Sequence, residues 1–260
     1  MSFQNIQPGS TTFVGLHNYQ KLLSDKTFQL AIFHSFRYML WTLILLIPLP
    51  MIFAVMLNSK FAKCKTVFKS IMYLPALTSV VVAGIIFRLL FSENEEAGMN
   101  QILTFFGGQA TAWLKNDSTG LFALLLLACW RWMGVNMLYF IAGLNAIDES
   151  LYEAASIDGA NAWQKFIYIT FPLLKPTTVY VITISIYAGL SMFMESMMLW
   201  SGNSSPQDIG LTIVGYLYRR GIEKNQFGYA SAVGLVLLVI ALIINTIQLV
   251  LSGTFKKESD

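Results

Sequence analysis

Long uncharged apolar runs alternate along this chain with shorter polar stretches. The clearest run, Tyr229 to Leu251 (YASAVGLVLLVIALIINTIQLVL), carries no charge across 23 residues. At about 1.5 Å per residue such a helix reaches roughly 35 Å, enough to cross a ~30 Å hydrocarbon core with some tilt. Four further runs, at 29–57, 71–91, 119–144 and 177–200, read the same way. A backbone crossing lipid must satisfy its own hydrogen bonds, which leaves helices or closed barrels. The runs are continuous rather than alternating, so helices are predicted. The expected fold is all-α, a polytopic membrane helical bundle with five spans in residues 29–260 and an N-terminal segment at 1–28.

Composition supports that pattern. Apolar residues make up 55% of the chain and charged residues 12%, about half the charged share of a soluble domain. The net charge of +3 is too small for a nucleic-acid binder, and no basic run interleaves with aromatics. Cys64 and Cys129 share no motif, so neither a disulfide nor a metal site is expected. His17 and His34 form no metal pair, and Ser, Cys and His show no nucleophile grouping, so no catalytic residue is assigned. No secretory signal with a cleavage site is visible.

Loop charge then sets the orientation, because Lys and Arg favour the cytoplasm. Loop 58–70 carries Lys60, Lys63, Lys65 and Lys69 and no acid, whereas loop 92–118 carries Glu93, Glu95, Glu96 and Asp117 against Lys115. Loops 58–70 and 145–176 and the C-terminal tail are therefore expected in the cytoplasm, and 92–118 and 201–228 outside it. Arg219, Arg220 and Lys224 in the last loop run against the rule. Five spans with a cytoplasmic C-terminus put segment 1–28 on the extracytoplasmic side. Two arrangements account for this: a sixth span upstream of Met1, or a short tail that crosses unaided.

The cytoplasmic loop 145–176 (NAIDESLYEAASIDGANAWQKFIYITFPLLKP) is the most patterned stretch. Asp148 is placed to cap a helix continued by Glu149, Tyr152 and Glu153. Asp158-Gly159 is a turn signal. Ala160, Trp163, Phe166 and Ile167 then recur as an apolar stripe at helical spacing, and Pro172 and Pro176 punctuate the entry to the next span. The prediction is a helix–Gly–helix unit presenting an acidic and small-residue surface.

Glu153-Ala154-Ala155, Asp158-Gly159-Ala160, Ile169, Pro172 and Pro176 resemble the EAA loop of binding-protein-dependent ABC importer permeases. Phe171 stands where that motif usually has Leu. Phe13-Val14-Gly15-Leu16, Asn18-Tyr19, Leu74-Pro75, Trp130 and Tyr229-Ala230-Ser231-Ala232 are similar to the maltose-type (sugar and glycerol-phosphate) branch, so the resemblance runs along almost the whole chain. That branch usually has a six-span core with a further N-terminal span before the FVGL segment. The resemblance implies a multi-pass permease of the bacterial inner membrane. Its partners would be a second permease subunit, with a heterodimer favoured, two ATP-binding subunits and an extracytoplasmic solute-binding protein. Glu153, Ala154, Ala155, Asp158, Gly159 and Ala160 would couple to the ATPase.

The chain has no G-x-x-x-x-G-K-[ST], so ATP and Mg belong to the partner subunits and no cofactor is expected here. Ionisable groups within spans are candidates for solute contact. Arg37 and Arg88 fall near helix ends, where they are expected to snorkel to the interface. Arg131 lies mid-span, and Glu195 is the one acid within the expected spans. The resemblance carries solute contact to Gly189, Met192, Phe193, Glu195 and Ser196. A carboxylate and a hydroxyl beside aromatic and thioether surface suit a polyol. Glu195 paired with Arg131 is the competing reading. The expected function is ATP-driven import of a small solute, a sugar or oligosaccharide. The rivals are a secondary transporter or channel, or a permease for a solute such as glycerol phosphate.

Overall fold

The computed structural model describes residues 1–7, 9–59 and 64–253. Lys60 and Lys63, two of the four lysines behind the orientation reading, and the tail 254–260 lie outside the described residues. The chain opens with an antiparallel hairpin, β1 (Gln4–Gln7) and β2 (Ser10–Phe13), with Gln4 opposite Phe13. Everything regular after it is helical: α1 (His17–Ser24), α2 (Lys26–Leu46), α3 (Pro48–Asn58), α4 (Lys65–Leu77), α5 (Val80–Leu90), α6 (Gly98–Phe105), α7 (Asp117–Asn145), α8 (Glu149–Ile157), α9 (Ala162–Lys165), α10 (Phe171–Leu173), α11 (Lys175–Leu190), α12 (Met194–Leu199), α13 (Ile213–Tyr218) and α14 (Phe227–Leu251). The fold is all-α as expected, apart from the hairpin.

Lys26–Asn58, Asp117–Asn145 and Phe227–Leu251 are each long and apolar enough to cross a membrane alone. Lys65–Leu77 with Val80–Leu90 and Ala162–Leu173 with Lys175–Leu190 qualify only as bent pairs, with bends of 95° and 62°. By length and composition the chain thus has three straight span candidates, and five if each bent pair is counted as one span. The expected span 71–91 breaks at Thr78 and Ser79, which run extended with ψ of 136° and 134°. Pro75, inside the last turn of α4, removes a helical hydrogen bond just before the break. The expected span 177–200 ends at Leu190, and the separate short helix α12 follows. The hydroxyl of Thr212 donates to the Met192 carbonyl at 2.7 Å in that gap, so the interrupted backbone keeps a partner.

The chain divides into two compact units. The first comprises Met1–Trp41, Ser79–Leu127 and Ile186–Gln248; the second comprises Thr42–Thr78, Ala128–Ser185 and the described residues from Leu249. In the first, Leu22, Phe28, Ala31, Leu211, Ile213, Tyr216, Tyr229 and Val233 form a buried cluster, and α12 packs on α5. A Cβ on Gly84 of α5 would lie 2.3 Å from the Met198 Cβ of α12, so glycine is what allows that approach. In the second, α3 supplies Met51, Ala54 and Leu57, and α7 supplies Met137, Phe140, Ile141 and Leu144, with Leu174 and Val181 completing the core. Gly134 of α7 does for α4 what Gly84 does for α12: a Cβ there would meet the Met72 carbonyl oxygen at 1.9 Å. Between helices in lipid no hydrophobic driving force operates, so close packing of this kind is what holds them together.

Candidate functional site

Loop 145–176 lies wholly in the second unit, and its conformation follows from local sequence. The Asp148 carboxylate accepts from the Ser150 amide at 2.9 Å and caps α8. That hydrogen bond, helped by the Ser150 hydroxyl, holds the Asp148 carboxyl below its ordinary value. At the other end the Ala160 amide donates to the Ala155 carbonyl at 2.8 Å and the Gly159 amide to Ser156 at 3.2 Å. This pair of bonds around a left-handed Gly159, with φ of +79°, is a Schellman termination. The space around Gly159 is open, so its backbone angle and not crowding demands glycine.

The next helix starts as cleanly. Asn161 accepts from the Gln164 amide at 2.9 Å, and Gln164 accepts from the Asn161 amide at 2.8 Å, a reciprocal capping box. Two side-chain bridges tie the helices together: Lys165 Nζ to Ser156 Oγ at 2.6 Å, and Tyr152 OH to Thr170 Oγ1 at 2.9 Å. Phe166–Thr170 is wound as a π-helix, which accommodates the missing amide of Pro172. The result is a braced helix–turn–helix rather than a floppy connector.

Within it, Glu153, Ala154, Asp158 and Gly159 are exposed, and Ala155 and Ala160 are half-buried. The apolar stripe divides between core and surface. Phe166 packs against the core of the second unit, but Trp163 is 68% exposed and Ile167 is also exposed. With Ile157, 87% exposed, Trp163 adds an apolar element to the acidic surface. A cavity of about 850 Å³ opens beside α8, lined among others by Asn58, Asn145, Glu149, Tyr152, Glu153 and Lys165.

The residues expected to meet solute fall into two groups. Gly189, Met192, Phe193, Glu195 and Ser196 belong to the first unit. Glu195 does not lie within a continuous span; it sits half-buried in the first turn of α12, just past the break. The Phe193 ring lies 5.1 Å from that of Tyr218. Ser196 is buried and donates to the Gly210 carbonyl at 2.5 Å, which commits its proton and leaves lone pairs for a ligand. Gly189 is buried where a Cβ would touch Met39 at 3.0 Å, a helix-packing role. Arg131 belongs to the second unit, is 8% exposed, and carries its guanidinium 5.2 Å over the Trp132 ring.

Other charged residues of the first unit have partners that sequence did not announce. Arg37 forks onto both carboxylate oxygens of Asp117, the first residue of α7. Arg220 donates to Asp25 at 2.6 Å and to the Tyr216 hydroxyl at 3.0 Å, and Tyr216 donates to Asp25 at 2.6 Å. Burial pushes the Asp25 carboxyl up, but the Tyr216 hydroxyl, the Phe28 and Thr27 amides and Arg220 together bring it below its ordinary value. Arg219 pairs with Asp208 at 2.8 Å. The two arginines that ran against the charge rule are thus each matched to a carboxylate. Among the described residues no cluster of His, Cys, Asp and Glu could hold a metal ion.

Comparison with known proteins places this geometry. A family model, binding-protein-dependent transport system inner membrane component, matches residues 28–257. The chain is 54% identical over 258 residues to the arabinooligosaccharides transport system permease protein AraP of Bacillus subtilis (strain 168), covering 99% of this chain and 82% of the relative. It is 29% identical over 237 residues to the lactose transport system permease protein LacF of Rhizobium radiobacter, covering 91% of this chain and 80% of the relative. Among solved structures, a chain of a bacterial ABC transporter involved in the import of the acidic polysaccharide alginate matches with a TM-score of 0.85 at 24% identity, over 94% of this chain and 85% of that one. A chain of the bacterial alginate ABC transporter in complex with alginate pentasaccharide-bound periplasmic protein matches with a TM-score of 0.84 at 24% identity, over 94% and 84%. These two likenesses speak to the fold.

Proposed function

The chain belongs to the binding-protein-dependent transport system inner membrane component family, and from that premise we propose how it works and what it carries. It is a membrane permease subunit of an ABC importer and not itself an enzyme; ATP hydrolysis belongs to a separate subunit. Its solute is an oligosaccharide, with arabino-oligosaccharides the first candidates because the relative named for them is 54% identical. An extracytoplasmic solute-binding protein hands the sugar over on the side where segment 1–28 and loops 92–118 and 201–228 lie, and the C-terminus is cytoplasmic. The functional unit is a heterodimer with a second permease and two ATP-binding subunits, which hold ATP and Mg.

One observation carries the mechanism: a short helix, capped at both ends and cross-braced, presents exposed Glu153, Ala154, Ile157 and Asp158. A rigid short helix transmits a rigid-body displacement, whereas a floppy loop absorbs it. Closure of the ATP-binding subunits therefore moves α8, and the bracing through Lys165 and Thr170 passes the movement to α11. Glu153 offers its charge to a basic side chain of the ATP-binding subunit. In the solute path, Phe193 supplies an apolar face and Glu195 a hydroxyl acceptor, with Met192, Ser196 and Gly189 shaping that site.

The test is ATP hydrolysis by the reconstituted assembly, with binding protein, across a panel of arabino-oligosaccharides, other oligosaccharides, monosaccharides and glycerol phosphate. Stimulation by an oligosaccharide supports the reading. Stimulation by glycerol phosphate alone rejects the substrate class.

A further inference from the structure

The loop between α5 and α7 carries an apolar feature that neither coupling nor solute passage uses. Helix α6 places Ile102 and Phe105 three residues apart, with Phe106 just past its end, and these three fall on one face. All three are exposed, Phe105 at 85% and Phe106 at 80%. The opposite face is fixed. Asn100, fully buried, donates to the carbonyls of Ser92, Asn94 and Thr111 and accepts from the Thr111 amide at 3.0 Å and Trp113 Nε1 at 2.7 Å. Trp113 in turn packs against Phe91 and Phe122. The exposed stripe is therefore held in place and has no inward-facing alternative.

Its position against α5 is fixed as well. The first turn of α6 touches the last turn of α5: a Cβ on Gly98 would lie 2.9 Å from Leu90 Cδ2. Helix α5 is the second half of a membrane-span candidate, and α7 starts the next at Asp117. With α5 and α7 read as parts of spans, the stripe is tethered to the end of one and lies shortly before the start of the next. Helix α5 also exposes Val82, Ile85, Ile86 and Leu89, a surface that in a spanning helix meets lipid tails. The acidic groups of the loop stand apart in sequence, with Glu93, Glu95 and Glu96 exposed and Glu93 paired to Lys115 at 2.7 Å.

We propose that α6 is an interfacial anchor, with Ile102, Phe105 and Phe106 inserted at the headgroup–acyl boundary of the bilayer. An apolar stripe with no cationic residue inserts by burying hydrocarbon, not by attracting anionic headgroups. Neutral phosphatidylcholine is therefore a sufficient lipid. This inference rests on the membrane placement of α5 and α7 and stands apart from the coupling and sugar readings.

The experiment uses the assembled transporter in phosphatidylcholine vesicles, with Cys64→Ser and Cys129→Ala as background. A nitroxide is attached singly at Ile102→Cys, Phe105→Cys, Phe106→Cys and, as an aqueous reference, Glu95→Cys. Oxygen collects in lipid and a neutral nickel chelate in water, so their relative access reads depth. Labels at 102, 105 and 106 should show an oxygen-to-nickel ratio several-fold above that at 95. Ratios matching the label at 95 overturn the anchor and make α6 an aqueous loop. Labels shielded from both reagents overturn it in favour of a protein partner covering the stripe. Two of the three sites suffice if one variant assembles poorly.

Discussion

Loop 145–176 and the paired charges of the first unit are stabilised in opposite ways. In the loop, nearly every stabilising contact is local. Asp148 caps two residues on, Asn161 and Gln164 bond each other, and Gly159 ends α8 through its own neighbours. In the first unit the stabilising contacts join residues far apart in sequence: Arg37 with Asp117, Arg220 with Asp25, Trp200 Nε1 with the Leu114 carbonyl at 2.8 Å. The difference teaches that one region carries its shape in its own neighbourhood, while the other holds distant segments in register.

The strongest way to break that contrast is Gly159→Val. A β-branched residue at φ of +79° costs about 1–2 kcal/mol in left-handed backbone. The space is open, so the penalty falls on the shape of the loop and not on packing. Transport should be lost while membrane abundance stays near normal; uptake assays beside immunoblots measure both. Abundance falling in step with transport would mean the loop is a folding element instead.

Next in size is the Asp25–Arg220 pair. Asp25→Asn leaves a mostly buried guanidinium with a weaker partner and should cost about 2–3 kcal/mol of stability, read as lower thermal stability in detergent. The pair also has a pH signature. A carboxyl whose folded value is depressed contributes fully above its unfolded value near 3.8, and that contribution is lost as pH falls through the lower folded value. Wild-type stability should therefore fall below about pH 4 by this route, and Asp25→Asn should lack that part of the fall.

The contrast also explains what the sequence made legible. The cap at Asp148 and the turn at Gly159 are local signals, written within a few residues, and each is found in place. The partners of Arg37 and Arg220 are not local. Asp25 lies 195 residues from Arg220, and no spacing rule links them. Helix breaks at Thr78 and after Leu190 were hidden because hydropathy averages across them. The N-terminal hairpin did carry a signal, since Pro8-Gly9 is a turn pair, but it is overshadowed by the apolar runs. Whether Trp163 faces the core was not legible, because helical spacing does not distinguish a stripe packed inside from one left exposed.

Smaller effects sharpen the account. Glu195→Gln should raise the apparent KM for uptake about tenfold, the loss of one charged hydrogen bond, with abundance unchanged. If Glu195 serves Arg131 instead, abundance should fall and return in the double variant with Arg131→Met, with affinity unchanged. Smaller still, Asp148→Ala should remove about 1 kcal/mol of capping and lower coupled transport modestly, measured as sugar moved per ATP hydrolysed.

The central claim is that α8 is the surface the ATP-binding subunit engages. A photoreactive amino acid at Ile157, exposed and beside Asp158, tests it directly in the assembled complex. The account predicts a crosslink to the ATP-binding subunit, absent when the same group stands at Tyr187 on α11. Equal capture from both positions, or capture of the binding protein or second permease from 157 alone, would contradict it.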